Sequence, residues 1–259
     1  MKLLIHNIKY RLQILLHKFG WHISRYTPLK AEEDVFEIKR ALLKDGSTNT
    51  ILDIGAWIGK TSLKYGETFP NSKIHAFEPF PQSFQKLKET THSLRNRLVL
   101  NELAVSNEVG LATFNSNKIE TTNSLLSSTS TDSEHDFFRD TVATIEVATT
   151  TLDAYCDEAM VDRINILKMD TQGGELKVLQ GAERLLSERR IDLIYCEVSF
   201  VAMYKDSPLF HDICAFLEKR DYVLHGLYGI VKNEFGQIAW GDALFYSPDV
   251  YNSIKSRKQ

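Results

Sequence analysis

The chain has 259 residues, of which 43% are hydrophobic and 25% are charged, and its net charge is −3. This composition is typical of a folded globular protein and excludes disordered, collagen-like and membrane-embedded classes. A mildly acidic chain gives no reason to expect a nucleic-acid partner. The three cysteines lack the C-x-x-C spacing of metal and redox sites, so we expect buried thiols in a reducing compartment.

Residues 1–30 carry six basic side chains and no acidic ones. Apolar residues within 1–20 recur at helical spacing, but no apolar run is long enough to span a membrane, and no secretory cleavage site is present. We expect residues 1–45 to form a basic amphipathic helical extension of a cytoplasmic protein. Two alternatives stay open: residues 1–20 lie on the inner face of an anionic membrane or contact a partner, or the helix packs on the following domain.

Residues 46–259 show apolar strands that alternate with helices, as expected for one α/β domain. Within it, residues 121–134 are rich in Ser and Thr, so we predict a loop or lid insertion over 121–140. Two short alternating runs at 111–114 and 142–148 predict a hairpin or edge pair. Helices are predicted at 59–69, at 82–91, from Gly173-Gly174 onward and at 208–220. Strands are predicted at 49–54, 73–77, 98–103, 163–169, 191–196, 222–227 and 243–246. This order predicts a doubly wound, mostly parallel seven-stranded sheet of the Rossmann-like type.

The first predicted strand ends near Asp53 and leads into a turn with Gly55 and Gly59, and the second ends at Glu78-Pro79. This is half of a nucleotide-type α/β site, but the glycines are spaced G-x-x-x-G rather than G-x-G-x-x-G. A carboxylate in the turn would repel a pyrophosphate, whereas it suits a sulfonium cation with an amino group and a ribose diol. S-adenosylmethionine has these features.

Each of these residues has a separate predicted role. Glu78 can accept both ribose hydroxyls, with a cap before Pro79 as the alternative. Gly55 and Gly59 allow a tight turn close to the cofactor, although a purely structural turn would also need them. Asp53 either orients the turn or holds the amino group of the cofactor.

Two further acids, Asp170 and Glu197, end the middle strands of the predicted sheet. Methyl transfer needs an aligned nucleophile and removal of its proton. Asp170 or Glu197 could act as the base, or the pair could hold a divalent metal, a requirement that the sequence does not establish. Glu175 is another candidate, although an acid in the first turn of a helix is favourable in any case.

Three other side chains are weaker candidates. His225 ends a predicted strand and is the one histidine that we consider as a base. Tyr204 follows the fifth strand and Asp242 precedes the last one, so both are candidates for substrate contact. Their alternatives are a core role for Tyr204 and a turn role for Asp242.

Taken together, these segments resemble the FkbM-type family of class I S-adenosylmethionine-dependent methyltransferases. The likeness runs in order through residues 45–246. It is carried by five segments: Leu52-Asp53-Ile54-Gly55-Ala56 with Gly59; Phe77-Glu78-Pro79; Asn101-Glu102-Leu103-Ala104-Val105-Ser106; residues 167–182; and Glu197-Val198-Ser199-Phe200.

The resemblance implies cofactor contacts at Asp53, Gly55, Ala56, Gly59, Glu78 and Pro79. It also places Ala104 near the adenine and Asp170 near the methyl group and the carboxyl end of the cofactor. Ser124 would lie in a lid element, where it is a candidate for substrate contact. Trp57 departs from the pattern, which usually has Asn there, so we expect the loss of one polar contact.

The family further implies O-methylation, often of a sugar hydroxyl in a polysaccharide, glycolipid or glycosylated metabolite. We therefore expect a glycan or small-molecule acceptor. Two alternatives are a nicotinamide-dependent sugar oxidoreductase or epimerase and a noncatalytic membrane-associated adaptor. The missing third glycine argues against the first, and the acids at the strand ends argue against the second.

Overall fold

The computed structural model describes residues 34–43, 49–127 and 141–256. Most of the predicted extension and much of the predicted insertion at 121–140 lie outside these ranges. The membrane contact of residues 1–20 and the cytoplasmic location therefore stay predictions. In the ranges described, no helix combines the length and the apolar character that crossing a bilayer requires.

Residues 35–259 form one compact unit, in which strands and helices alternate as predicted. Its strands are β1 (Thr50–Ile54), β2 (Lys73–Phe77), β3 (Leu98–Asn101), β4 (Ala104–Val105), β5 (Gly110–Asn117), β6 (Thr141–Thr150), β7 (Ile164–Met169), β8 (Ile191–Ser199), β9 (Val223–Lys232) and β10 (Ile238–Tyr246). Its helices are α1 (Val35–Leu42), α2 (Lys60–Thr68), α3 (Pro81–Thr90), α4 (Leu152–Glu158), α5 (Glu175–Gln180), α6 (Glu183–Ser187), α7 (Phe210–Glu218) and α8 (Pro248–Ser256).

The main sheet has seven strands in the order β3-β2-β1-β7-β8-β10-β9. The four neighbouring pairs β3–β2, β2–β1, β1–β7 and β7–β8 are parallel. β10 is antiparallel to both β8 and β9. The predicted doubly wound, mostly parallel sheet is thus confirmed. The strand order reverses between β1 and β7, and this reversal opens a crevice at their carboxyl ends.

A second, three-stranded sheet has the order β4-β6-β5. The predicted hairpin is present, because β5 and β6 pair antiparallel along their length. The predicted third strand, residues 98–103, is shorter in the structure, because β3 ends at Asn101. The next strand, β4, begins at Ala104 and pairs with β6 in the second sheet.

Further elements differ from the prediction. β9 continues to Lys232 and β10 begins at Ile238, so both are longer than predicted. β8 continues past residue 196 to Ser199, because β10 pairs with it as far as Trp240 opposite Ser199. The helix predicted after Gly173-Gly174 is split into α5 and α6. The Asp153 carboxylate causes the break, since it accepts the backbone N–H groups of Arg184 and Leu185 at 2.9 and 3.1 Å and so caps α6.

The core lies on both faces of the main sheet. Along β1, Ile51 belongs to one buried cluster, whereas Leu52 and Ile54 belong to another, as the two-residue period of a strand requires. The cluster with Leu52 packs against α4 to α7, and the other packs against α1, α2 and α8. The three cysteines are free thiols, and Cys156 and Cys196 are buried.

Helix α1 lies within the range predicted as the extension, yet it contributes to this core. Four of its apolar side chains pack in the cluster of Ile51. Lys39 is fully buried, and its Nζ donates to Tyr65 Oη at 2.8 Å and lies 3.5 Å from the centroid of the Tyr195 ring. A cation over an aromatic face is stabilised by the ring quadrupole.

A buried ion pair joins β1 to β7 at the point where the strand order reverses. Lys168 Nζ lies 3.0 Å from Asp53 Oδ1 and donates to the Gly55 carbonyl at 2.8 Å. Ser62 Oγ of α2 donates to Asp53 Oδ2 at 2.6 Å. Burial alone would lower the pKa of Lys168, but Asp53 and Asp170 outweigh burial and raise it. The Lys168 ammonium therefore stays charged inside the protein.

We expect Lys168→Met to lower the free energy of unfolding by about 3 kcal/mol, because it leaves the Asp53 carboxylate buried without its cation. Urea denaturation at pH 7 measures the change. Arg40→Met is the control, since it breaks the exposed Arg40–Glu37 pair and should cost less than about 1 kcal/mol. Equal losses in the two variants would contradict the role of the buried pair.

Candidate active site

A cavity lies at the carboxyl ends of β1, β2 and β7 and opens to solvent. One end is apolar and is formed by Leu103, Ala104, Val105, Phe114 and Leu125. A flat aromatic ring would bury its faces well against such side chains.

Glu78 lines the cavity next to Pro79, directly after β2. Trp57 N–H donates to its Oε2 and Phe80 N–H donates to its Oε1, both at 2.9 Å. Burial raises the pKa of Glu78 to about 7, against the opposing effect of these two hydrogen bonds. Each carboxylate oxygen keeps a lone pair for a second donor, so the two oxygens can accept both hydroxyls of a diol.

The two glycines of the first turn are both required by packing. Gly55 lines the cavity with φ +73°, and a Cβ there would lie 1.9 Å from the Asp170 carbonyl oxygen. Gly59 has φ +84°, and a Cβ there would lie 2.5 Å from Thr91 Cγ2. Ala56 is buried between them, and neither Ala56 nor Gly59 is among the cavity-lining residues.

Asp53 is fully buried beneath the turn, where Lys168 and Ser62 hold it. It does not line the cavity. Of the two roles that the sequence left open, its position favours orienting the turn. The acids that a ligand meets in the cavity near this turn are Glu78 and Asp170.

Trp57 adopts a left-handed backbone conformation, with φ +47°. This conformation costs a bulky residue roughly 1–3 kcal/mol. Trp57 is among the residues that line the cavity, and its Nε1 is buried and meets no acceptor within the three ranges that the structure describes. The expected loss of one polar contact to the cofactor at this position stays a prediction.

The other end of the cavity carries Asp170, whose side chain is 45% exposed. Gln172 Nε2 donates both to Asp170 Oδ1 and to Glu197 Oε2, each at 2.8 Å. Burial, followed by the nearby Asp170, raises the pKa of Glu197 well above its usual range. Ionisation of Glu197 is thus disfavoured both by its burial and by the charge of the neighbouring carboxylate.

Gln172 is the residue that our sequence analysis missed. Tyr204 Oη donates to its side-chain oxygen at 2.8 Å, and Ser124 Oγ donates to its backbone carbonyl at 2.7 Å. Ser124 and Tyr204 are thus buried behind the cavity wall rather than on it. The sequence does contain a feature that could have indicated Gln172. Its amide can both donate and accept hydrogen bonds, and it lies between Asp170 at the strand end and the pair Gly173-Gly174.

The remaining candidates lie away from the cavity lining. Asp242 is opposite Glu197 in the β8–β10 register and accepts a hydrogen bond from Tyr195 Oη at 2.7 Å. Buried Glu175 closes the loop after β7, since its Oε1 accepts the Thr171 N–H at 2.7 Å. His225 lies on β9, with its Nδ1 2.7 Å from Tyr228 Oη.

Asp170 and Glu197 share an amide N–H₂ group, a donor that competes with a cation for their oxygens. Across the described parts of the chain, no three His, Cys, Asp or Glu side chains are arranged to hold a metal ion. Asp170 is therefore the candidate base that reaches the cavity.

The model of the "Methyltransferase FkbM domain" matches residues 53–224. The chain belongs to the FkbM methyltransferase family. It is 29% identical over 162 residues to the 2-O-methyltransferase NoeI of Sinorhizobium fredii, covering 60% of this chain and 65% of that protein. It is 27% identical over 165 residues to the hexuronic acid methyltransferase AglP of Haloferax volcanii, covering 63% and 62%. The chain thus spans less than two thirds of the length of these curated relatives.

Among solved structures, the crystal structure of Methyltransferase FkbM from Methylobacillus flagellatus KT is similar, with a TM-score of 0.53 at 17% identity. The match covers 80% of this chain and 45% of that chain. At this identity the likeness concerns the fold. It agrees with the seven-stranded sheet described above.

The FkbM family implies S-adenosylmethionine, and the cavity residues fit it. Glu78 has two free acceptor positions for a ribose diol, and the apolar end suits an adenine. Gly55 lets the turn pack against the Asp170 carbonyl at the edge of the cavity. Glu78 and Ala104 would hold the cofactor, with Asp170 at the acidic end.

We expect Gln172→Glu to destabilise the protein more at pH 8 than at pH 5.5. The new carboxylate faces those of Asp170 and Glu197, so its pKa in the folded state is raised and its ionisation costs stability as the pH rises. The loss should reach about 2 kcal/mol or more at pH 8. Urea denaturation at both pH values measures it. The matched control is Gln180→Glu at the exposed end of α5, which should change stability by less than about 0.5 kcal/mol.

Proposed function

We propose that this protein is an S-adenosylmethionine-dependent O-methyltransferase whose acceptor is a sugar hydroxyl in a polysaccharide, glycolipid or glycosylated metabolite. The observation that carries the proposal is Glu78. Backbone N–H groups hold both of its oxygens, and its free lone pairs face a cavity with an apolar end and a carboxylate end. The FkbM membership agrees with this arrangement.

The sugar acceptor is supported by the names of the relatives. One is a 2-O-methyltransferase, which indicates an oxygen acceptor, and the other is a hexuronic acid methyltransferase, which indicates a sugar. The match to each relative covers about three fifths of this chain. We extend the two names to this protein as a proposal only.

Bound S-adenosylmethionine would supply a methyl group on a positively charged sulfur. An acceptor oxygen would bond to the methyl carbon in line with the C–S bond, and the sulfur would leave as a neutral thioether. The role of the protein is to hold the reactants and to take up a proton. Glu78 accepts the hydroxyls of the ribose, while Ala104 and Phe114 cover the adenine and exclude water. These contacts orient the reacting end toward the acidic side of the cavity.

Asp170 is the proposed base. Its Oδ1 is occupied by Gln172 Nε2, whereas its Oδ2 lies 4.0 Å from Lys168 Nζ, beyond hydrogen-bond distance, and can accept the proton of the acceptor hydroxyl. Gln172 fixes the direction of the carboxylate, because Tyr204 Oη holds the other side of the amide at 2.8 Å. Burial and the nearby Asp170 raise the pKa of Glu197, which makes Glu197 the less suitable base of the two.

Cofactor binding separates the proposal from its alternatives. Isothermal titration should show binding of S-adenosylhomocysteine and no binding of NADH, because the Trp57 N–H that a phosphate would need is taken by Glu78. Transfer of labelled methyl groups to a panel of glycans, with and without hexuronic acids, then tests the reaction. NADH binding without S-adenosylhomocysteine binding would support an oxidoreductase, and binding without transfer to any acceptor would support an adaptor.

We expect Asp170→Asn to lower the turnover number by about two orders of magnitude, as removal of a general base does. The affinity for S-adenosylhomocysteine should stay nearly unchanged. Glu197→Gln is the matched variant: an amide imitates a protonated carboxyl group, so most of the activity should remain. If Glu197→Gln loses more activity than Asp170→Asn, the two roles have been assigned the wrong way round.

The affinity for S-adenosylhomocysteine should depend on pH through Glu78. Its pKa of about 7 means that the group is protonated in the free protein below pH 7, whereas the ribose hydroxyls bind the ionised form. Affinity should be constant above pH 7 and fall by up to about tenfold per pH unit below it. Isothermal titration from pH 5.5 to 8.5 measures this. Glu78→Gln should bind more weakly at pH 8 and lose the pH dependence, and a dependence that persists would exclude Glu78 as its origin.

A further inference from the structure

Gln172, whose amide bonds to both Asp170 and Glu197, has an unusual backbone conformation. Its φ is +55°, in the left-handed region that residues other than glycine rarely adopt, and Gly173 follows with φ +96°. A left-handed conformation of this kind is unfavourable and persists only where neighbouring groups hold it. Contacts from other parts of the chain are therefore needed to keep the Gln172 amide directed at the two acids.

The first of these contacts comes from residues 118–126, the segment that follows β5. Ser124 of this segment is fully buried, and its Oγ donates to the Gln172 carbonyl at 2.7 Å. Four other residues of the segment line the cavity: Glu120, Thr121, Asn123 and Leu125. One short segment thus forms part of the cavity wall and also holds the main chain beside the candidate base.

The second contact is made by Tyr204, which is almost fully buried. Its Oη donates to Gln172 Oε1 at 2.8 Å and lies 3.1 Å from the Thr122 carbonyl oxygen. A hydroxyl group has a single proton, and the amide oxygen is the nearer acceptor. Donation to Oε1 leaves the N–H₂ group of the amide for the acids, whereas a reversed amide would present its oxygen to the Asp170 carboxylate. Tyr204 therefore favours the amide orientation that directs Asp170.

Resting on the proposed function, we propose that Tyr204 and Ser124 are positioning residues for methyl transfer. Ser124 holds the main chain of Gln172, Tyr204 holds its side-chain amide, and the amide directs the carboxylate of Asp170. Neither Tyr204 nor Ser124 is among the cavity-lining residues, so their effect on the reaction passes through Gln172. The direction of a base matters because a small displacement of a reacting group can lower the rate by up to about 100-fold.

The first test compares turnover with cofactor affinity in Tyr204→Phe, which removes only the hydroxyl group. With the best acceptor of the glycan panel, the turnover number should fall about tenfold, because the amide is then held at one end only. The affinity for S-adenosylhomocysteine, measured by isothermal titration, should stay nearly unchanged. Ser124→Ala should show the same separation. A loss of affinity without a loss of turnover would overturn the proposal.

Tyr222→Phe is the matched control. It also removes a buried tyrosine hydroxyl, one that donates to the Ile191 carbonyl at 2.7 Å. Ile191 is the first residue of β8, at the opposite end of the strand from Glu197. Tyr222→Phe should therefore keep the turnover number of the parent. An equal fall in Tyr222→Phe and Tyr204→Phe would show a general effect of a lost hydroxyl and would overturn the proposal.

A double-mutant cycle shows whether Tyr204 acts through Asp170. In Asp170→Asn no base is left to be directed, so adding Tyr204→Phe should lower the turnover number no further. A purely structural role of the hydroxyl would instead lower it by the same factor in both backgrounds. That additive result would contradict the proposal.

A further measurement needs no acceptor. In protein labelled with ¹⁵N in glutamine, the side-chain signal that is absent from Gln172→Met belongs to Gln172. Its N–H₂ protons should exchange with water about tenfold faster in Tyr204→Phe than in the parent, as the loss of one hydrogen bond predicts. Equal exchange rates would overturn the proposal. If the rates differ but the parent methylates no acceptor, the proposed function fails instead.

Discussion

The ion pair between Lys168 and Asp53 is the interaction on which the site depends. It joins β1 to β7 where the strand order reverses, and the same ammonium donates to the Gly55 carbonyl in the first turn. A buried charge is stable only when it is paired and hydrogen-bonded, so the positions of strand, turn and cation are determined together. The cavity exists because this turn is held against the end of β7.

The acids above that pair differ in environment and therefore in protonation. Glu78 and Glu197 are shielded from water, which raises the pKa of each, whereas half-exposed Asp170 faces the cavity. The uncharged amide of Gln172 separates Asp170 from Glu197 and bonds to both. An amide can do so without adding charge to a crowded acidic region. Acids of one type thus acquire different chemical roles through burial and hydrogen bonding.

The features that could be predicted best from the sequence depend on neighbouring residues and on the period of apolar residues. β2 was predicted with the bounds that the structure has, and the acids after β2 and β7 do line one cavity, as parallel strands require. Strand ends that depend on the pairing partner were predicted less well. β8 extends past Glu197 because β10 pairs with it, and β3 ends at Asn101, two residues before the predicted end. Ser124 and Tyr204 were expected near a substrate, but both bond to Gln172, a contact between segments distant in the chain.

The sequence by itself determined the α/β class, the turn with its two glycines, the acids at the strand ends and the family likeness. These properties follow from the order and spacing of neighbouring residues. Tertiary structure alone decided that Asp53 lies beneath the cavity, that Gln172 connects Asp170 with Glu197, and that the backbone N–H of Trp57 donates to Glu78. The reason is physical: burial and hydrogen-bond partners depend on which distant segments meet, and residue spacing along the chain does not specify those meetings.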